Sequence, residues 1–380
     1  MNNVVIVAYG RSACCRARKG SFAGMHPLDF TAQTLNGVLK KVPELPVEMI
    51  DDVILGCAEP TRQLDYNAGR VVVQRAGLPE SIPGQTVNRF CASGLQCISI
   101  GANAIAAGEA DVIVAGGVES MTDCFIPYPQ EFMDPWIVEN CPGGYMPMGE
   151  TAERVADKYG ITREQMEMMA VDSHRKASIA QGAGKLAPSI IPVVNEKGDV
   201  VTMDEGIRPG TTLESLSTLK PCFRENGRIT AATSSQTTDA AAFVVLMSEE
   251  KAKELNIHPL ARYVSYAVKG CDSTMMGLGP IYAVPAVLKK AGLTLDDIDV
   301  IELNEAFAAQ AIACINELQL PMEKVNVYGS AMALGHPMGA TGAVLTCKAL
   351  DYLQDTNGRY GLVTMCIGGG MGAAGIFEKL

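Results

Sequence analysis

The run GQTVNRFCASGLQCISIGANAIAAGEADVIVAGG, residues 84–117, reads as strand, helix and strand in immediate succession. GQTVNRF is strand-like. ASGLQCISIGANAIAAG has apolar residues all round and small residues for close packing, which predicts a buried helix. DVIVAGG predicts a strand that stops at glycines. Cys91 sits where the chain turns from the first strand into the helix. A cysteine there is either a small buried hydrophobe or a nucleophile, its thiolate favoured by free N–H groups and the helix dipole. Cys97, a turn and a half further on, reads as packing.

The same layout returns near the C-terminus. KVNVYG (324–329) is strand-like, GATGAVLTCKALDYL (339–353) predicts a helix, and YGLVTMCIGGG (360–370) predicts a strand that stops at glycines. AGIFEKL closes the chain, and NVVIVA (3–8) and DDVILG (51–56) add strands to the first half. Two such units half a chain apart point to an internal duplication. The expected class is α/β, with two similar domains face to face, each a mixed sheet between helices. Between them TREQMEMMAVDSHRKASIAQG (162–182) predicts an amphipathic helix, with Thr162 and Gln165 at capping-box spacing. SIIPVVNEKGDVVTMDEG predicts a hairpin around Lys197 and Gly198. The expected division is 1–120, continued by 238–259, then an inserted loop domain 121–237 and a C-terminal domain 260–380.

Composition narrows the function. The 380 residues are 48% hydrophobic and 19% charged, a globular balance, with a net charge of -11. That charge argues against nucleic acid as a general partner, and an anionic substrate would need a local basic pocket. MNNVVIVAYG has neither a charged leader nor a long apolar stretch, no apolar run is expected to span a bilayer, and a cytoplasmic location is expected. The 12 cysteines are scattered without a C-x-x-C pair, so reduced thiols are expected and no metal site.

Three further residues join Cys91. His336, one of four histidines, stands in ALGHPMGATGA at the start of the duplicate helix, a position comparable to Cys91. If the halves pair about a pseudo-twofold axis, the two helix starts converge and the imidazole can take the thiol proton. Cys366, in TMCIGGGMG, ends a strand at a glycine turn whose N–H groups can hold an oxyanion. Asn304, in ELNEAFAAQ, opens a predicted helix, either as a cap or as an active-site amide.

Together NRFCASGLQ, ELNEAFAAQ, ALGHPMGATGA and TMCIGGGMGAAGIFE resemble the four signature blocks of the thiolases. GCAEPTRQLDYNAGRVVVQRAGLPESIPGQTVNRFCASGLQ, IRPGTTLESLSTLKP and VLMSEEKAKELNIHPLAR are similar to further thiolase segments, so the resemblance covers essentially the whole chain. It implies mixed five-stranded sheets in a layered α-β-α-β-α core, and thiolysis of a 3-oxoacyl-CoA or the reverse Claisen condensation. On that resemblance Cys91 is acylated and His336 activates it. Cys366 moves the proton at carbon. Asn304 holds a water in one oxyanion hole with His336, and the amides of Cys91 and Gly368 form the other. Arg208 is implied at the nucleotide end of CoA, Ser235 at the pantetheine, and Met148 and Phe307 at the sulfur end. Read from residue type alone, Met148 and Phe307 fit an ordinary core as well, and Arg208 a surface charge.

CoA, acetyl-CoA and 3-oxoacyl-CoA are the implied partners, with CoA a substrate and no metal or redox cofactor needed. A homodimer or homotetramer is expected, and a β-oxidation multienzyme complex is compatible with the family. GRSACCRARKG, TTDAAAF with Ala240, and Ser330 in VYGSAMALGHP depart from the family pattern without removing a proposed catalytic group. Arg89 and Phe90 before Cys91, YMPMGETAERVADKYGITREQ and VKGCDSTMMGLGP look like the degradative, 3-ketoacyl-CoA branch; the acetyl-CoA acetyltransferase branch is the alternative. A decarboxylating condensing enzyme would have a second His where Asn304 stands. A non-catalytic acyl-CoA-binding protein would be expected to lose the nucleophile or base.

Overall fold

A computed structural model describes residues 2–124 and 128–380. The first half runs β1 (Val4–Arg11), α1 (Pro27–Leu39), β2 (Asp52–Gly56), α2 (Ala68–Arg75), β3 (Gly84–Val87), α3 (Ser93–Ala107) and β4 (Val112–Ser120). An excursion follows with α4 (Met148–Tyr159) and α5 (Arg163–Gly182), and the chain returns through β5 (Thr238–Ser248). The second half repeats the plan as β6 (Ala261–Gly270), α6 (Gly279–Ala291), β7 (Val300–Leu303), α7 (Ala308–Leu318), α8 (Met338–Thr356), β8 (Tyr360–Ile367) and β9 (Met371–Lys379).

The duplication is visible in the pairing. The first sheet has the order β3-β2-β4-β5-β1, with β2 parallel to β3 and β4, and β5 antiparallel to β4 and β1. In the second, β7 lies parallel to β8, and β9 antiparallel to β8 and β6. The two sheets are continuous with each other. Val5 and Ile6 pair with Arg262 and Ala261, joining β1 to β6 edge to edge.

KVNVYG is not a full strand. It contributes a single parallel bridge, Ile301 to Val325. Asn326 adopts a left-handed φ of 49°. Its side chain takes over the ladder, accepting from the Leu303 N–H at 2.9 Å and donating to the Leu303 carbonyl at 2.9 Å. An amide side chain thus satisfies the edge that a strand would cover.

Alternation along the strands builds the layers. Val5, Val7, Val53 and Leu55 face outward onto α1 and α2 with Phe30 and Leu35. Val4, Ile6 and Ile54 face inward onto α3 and α8, meeting Leu95, Ile98 and Val344. The second sheet buries its other face under α6 and α7 with Val284, Val287 and Ile315. The middle layer is close-packed because it is poor in side chain: a Cβ on Gly94 would lie 2.9 Å from the Gly339 carbonyl, and one on Gly342 would strike the Leu95 amide. The stretch Phe90–Ala107 is, contrary to expectation, long and apolar enough to cross a membrane. Here it is the turn at Cys91 and α3, the central helix between two sheets.

The excursion carries the predicted capping box, with Gln165 N–H donating to Thr162 Oγ1 and Thr162 N–H to Gln165 Oε1. It also carries the hairpin of Val193–Val194 with Val200–Val201, whose turn is held by Asn195 Oδ1 accepting from the Lys197 and Asp199 N–H groups. Asp204, beyond the hairpin, pins GRSACC through a fully buried pair with Arg11 at 2.6 and 2.8 Å and a bond from the Cys14 N–H.

Candidate active site

Cys91 lies in a short 3-10 turn, Phe90–Ala92, that feeds α3. Phe90 before it has a φ of 45°, a strained value for an aromatic residue. The turn is braced by the Ser93 hydroxyl, which accepts from the Arg89 N–H at 2.9 Å and donates to the Phe90 carbonyl at 2.6 Å. The Phe90 N–H in turn donates to Asn88 Oδ1. The thiol is half-buried, and Cys97 is fully buried.

The expectation that a helix start would by itself favour the Cys91 thiolate needs correcting. Burial pushes this thiol up to about 11, the Glu119 carboxylate adds to the rise, and the Gly368 and Cys91 N–H groups pull it back. Burial therefore favours the neutral thiol, because little water remains to solvate a thiolate.

His336 arrives from the other half, two residues before α8. Gly335 precedes it with a φ of 104°, in a place where a Cβ would collide with the Thr238 side chain, so only glycine fits. The imidazole is buried, and that burial lowers it to about 4. Its Nδ1 lies 2.6 Å from Thr341 Oγ1, on the first turns of α8. When Nδ1 donates to that hydroxyl, Nε2 carries the lone pair a base needs.

Asn304 follows β7, and its N–H donates to the Thr364 carbonyl. It does not open the helix as expected: α7 begins at Ala308, and Gln310 Oε1 accepts the Phe307 N–H there. Asn304 instead turns to the site. Its Nδ2 is 3.4 Å from His336 Nδ1 and 3.5 Å from Nε2, and its buried Oδ1 has no partner among the described residues. A buried carbonyl without a donor is costly unless a small molecule supplies one.

Cys366 lies near the end of β8, paired with Gly372 and fully buried. Burial, and then the nearby Cys91, push its thiol well above the usual range. The chain then turns through Gly368 to Gly370. Gly368 faces Met148 Sδ and the Phe90 ring across the mouth of the site.

The fold therefore places Cys91 beside Cys366 and the Gly368 N–H, and Asn304 beside His336, and it packs the Cys91 turn against α8, which His336 precedes. Phe307 packs in the same apolar cluster as Cys366, edge-on to Phe223 with ring centroids 5.9 Å apart, and Met148 borders that cluster. Ser235 is next to them, its N–H donating to the Ala306 carbonyl. Arg208 lies elsewhere in the excursion. Its N–H donates to His174 Nδ1 at 3.1 Å, and it lines a cavity of about 270 Å³ with His174, Arg175 and Thr211. Two residues escaped the sequence reading, Thr341 and Glu119. Thr341 is five positions from His336, little more than one helical turn. Glu119 is the one charged residue of its strand, next to its last residue, Ser120.

Residues 4–250 match the family model described as Thiolase, N-terminal domain, and residues 257–379 match Thiolase, C-terminal domain. The chain belongs to the thiolase family. It is 46% identical over 392 residues to the 3-ketoacyl-CoA thiolase of Bacillus subtilis, covering 100% of both chains. It is 42% identical to the peroxisomal 3-ketoacyl-CoA thiolase of Homo sapiens, over 99% of this chain and 91% of that protein. Its fold matches the crystal structure of the Bacillus anthracis acetyl-CoA acetyltransferase with a TM-score of 0.92 and 38% identity, over 100% of this chain and 99% of that one.

Proposed function

We propose that this chain is an acyltransferase that cleaves a 3-oxoacyl-CoA with CoA, giving acetyl-CoA and a shortened acyl-CoA. The observation that carries the reading is that the Cys91 turn, with the Gly368 N–H and Cys366 beside the thiol, packs against the helix that His336 precedes, and that Asn304 touches His336. In the proposed first half-reaction the Cys91 sulfur attacks the 3-oxo carbon as its proton passes to His336 Nε2. The C2–C3 bond breaks, and its electron pair forms the acetyl-CoA enolate, which takes the Cys366 proton. CoA then replaces acetyl-CoA. Its sulfur attacks the acyl-Cys91 thioester while its proton goes to the Cys366 thiolate, and Cys91 leaves by recovering the proton held on His336. The site starts and ends neutral.

Fixed donors suit this chemistry, since each step places negative charge on a carbonyl oxygen. One such donor contributes roughly 3–4 kcal/mol. The Cys91 and Gly368 amides are the proposed donors of one oxyanion hole, and a water on the partnerless Asn304 Oδ1, with His336, forms the other. Met148, Phe307 and Ser235 are the proposed neighbours of the CoA thiol arm, and Arg208 of its nucleotide end. Coenzyme A is a substrate here and no resident cofactor takes part. A homodimer or homotetramer, a cytoplasmic location and a place in fatty-acid β-oxidation, alone or in a multienzyme complex, go with the same reading.

The test is CoA-dependent cleavage across 3-oxoacyl chain lengths. Cys91→Ala is expected to lose at least about a thousandfold in kcat, as removal of a nucleophile does. Wild-type protein mixed with an acyl-CoA is expected to gain the acyl mass on Cys91. Turnover by Cys91→Ala sinks the assignment. The acetyl-CoA acetyltransferase reading is favoured by the Bacillus anthracis match, and cleavage confined to acetoacetyl-CoA would select it.

A further inference from the structure

Glu119 is the next-to-last residue of β4 and has no accessible surface. Among the described residues no cation is paired with it. Its oxygens instead collect four donors from two separate segments. Oε2 accepts from the Ala58 N–H at 2.9 Å and from the Gly339 N–H at 2.9 Å. Oε1 accepts from the Glu59 N–H at 3.3 Å and the Cys57 thiol at 3.5 Å.

Those segments lead to the two reacting groups. Gly339 is three residues past His336, in the first turn of α8, where free N–H groups and the helix dipole favour an anion. The backbones are in contact there: a Cβ on Gly339 would lie 2.6 Å from the Ala58 nitrogen. Ala58 leads the other way. Its carbonyl accepts from Asn88 Nδ2 at 2.9 Å, and Asn88 Oδ1 accepts from the Phe90 N–H at 2.8 Å, one residue before Cys91. A continuous hydrogen-bonded path therefore runs from the nucleophile's turn, through Asn88, Ala58 and Glu119, to the helix that follows the base.

We propose that Glu119 is a positioning residue that clamps the Cys91 turn to the His336 loop across the duplication. The proposal rests on the reading of those two residues as nucleophile and base. The requirement is for a carboxylate and not just for its shape. Both oxygens face donors, so an amide in either orientation turns its NH2 onto at least two of them. A protonated carboxyl has the same defect at one oxygen. Burial raises Glu119 to about 7, against the pull of its N–H and thiol donors. The titratable groups around it are Cys57 and Glu59 from the β2 loop, Cys91 from the α3 entry, Cys124 beyond β4 and His336 before α8.

The experiment compares wild type with Glu119→Gln in the thiolysis assay, from pH 5.5 to 8.5, with iodoacetamide trapping of Cys91 and thermal unfolding alongside. Expected for Glu119→Gln is a loss in kcat of up to about a hundredfold, the scale of a misplaced reacting group. KM for CoA should hold. Wild-type kcat should fall on the acid side with a midpoint near 7, and the variant should lack that limb. Wild-type turnover by a folded Glu119→Gln overturns the proposal, and so does a variant profile parallel to that of wild type. If the variant does not fold, the wild-type profile decides: absence of the acid limb overturns it. The outcome is separable from the nucleophile assignment, because Cys91→Ala reports on that whatever Glu119 does.

Discussion

At the scale of the residue, a hydroxyl selects the chemistry of an imidazole. Among the described residues no carboxylate is bonded to His336; Thr341 Oγ1, at 2.6 Å, is what fixes its Nδ1. Thr341→Val removes that partner at nearly constant volume. Its kcat is expected to fall by roughly ten- to a hundredfold, short of the roughly 10²–10⁴-fold that a whole general acid–base contributes, because the imidazole itself remains. Thr341→Ser should keep wild-type turnover, and steady-state kinetics of the pair separate hydrogen bonding from packing. Titration behaviour follows from burial. With Cys91 raised to about 11, its thiolate fraction keeps growing well beyond the range of an ordinary thiol. Alkylation of free enzyme should therefore still accelerate between pH 9 and 10, which stopped-flow trapping with iodoacetamide can follow. His336, lowered to about 4, stays neutral and basic above that pH, so an acid limb near 7 belongs to another group. Cys91, His336 and Cys366 could be singled out in the sequence because each stands beside a turn or helix start that local pattern reveals. Thr341 and Glu119 were not, because their importance lies in what approaches them.

At the scale of the element, the two central helices set the site. Their N-termini present Cys91 and His336, and they approach closely because glycines line the contact. Gly342→Ala would drive a methyl into the Leu95 amide. Overpacking of this kind costs about 1–3 kcal/mol, and separation of the helix starts should reduce kcat as well. Gly182, the last residue of α5, has open space around its would-be Cβ and no unusual φ. Gly182→Ala should be neutral or stabilise by about 0.5 kcal/mol. Chemical denaturation of both variants checks the contrast. The βαβ pattern, the capping box and the hairpin were readable from periodicity and turn residues. KVNVYG was misread because its alternation is that of a strand, while its backbone pairs only with Ile301 and the Asn326 side chain takes over at Leu303.

At the scale of the molecule, a buried ion pair ties the middle layer to the second sheet. Lys348 on α8 meets Glu302 on β7 at 2.8 Å, each 1% exposed, and also donates to the Gly329 carbonyl. Lys348→Met removes the ion-pair partner of a buried carboxylate, which costs about 3–5 kcal/mol. Burial holds the Glu302 carboxyl above its ordinary 4.5 even with its partner present. A carboxyl raised in the folded state contributes stability that is full below its unfolded value and is lost as pH rises through the folded one. The deficit of Lys348→Met should therefore shrink as pH falls, and Lys348→Met with Glu302→Leu should recover most of it at neutral pH. Urea titrations at several pH values test both.

What the sequence determined by itself was the α/β class and, through a resemblance that runs along the whole chain, the family. The class depends on periodicity within a turn or a strand, and that information is local. The tertiary structure alone decided that the sheets join at β1 and β6, that the thiol at a helix start is raised rather than lowered, and that Glu119 links the two halves of the site. Each of these depends on desolvation or on hydrogen bonds between residues far apart in the chain, such as Glu119 with Gly339 and Arg11 with Asp204. No local pattern encodes the water that such contacts exclude.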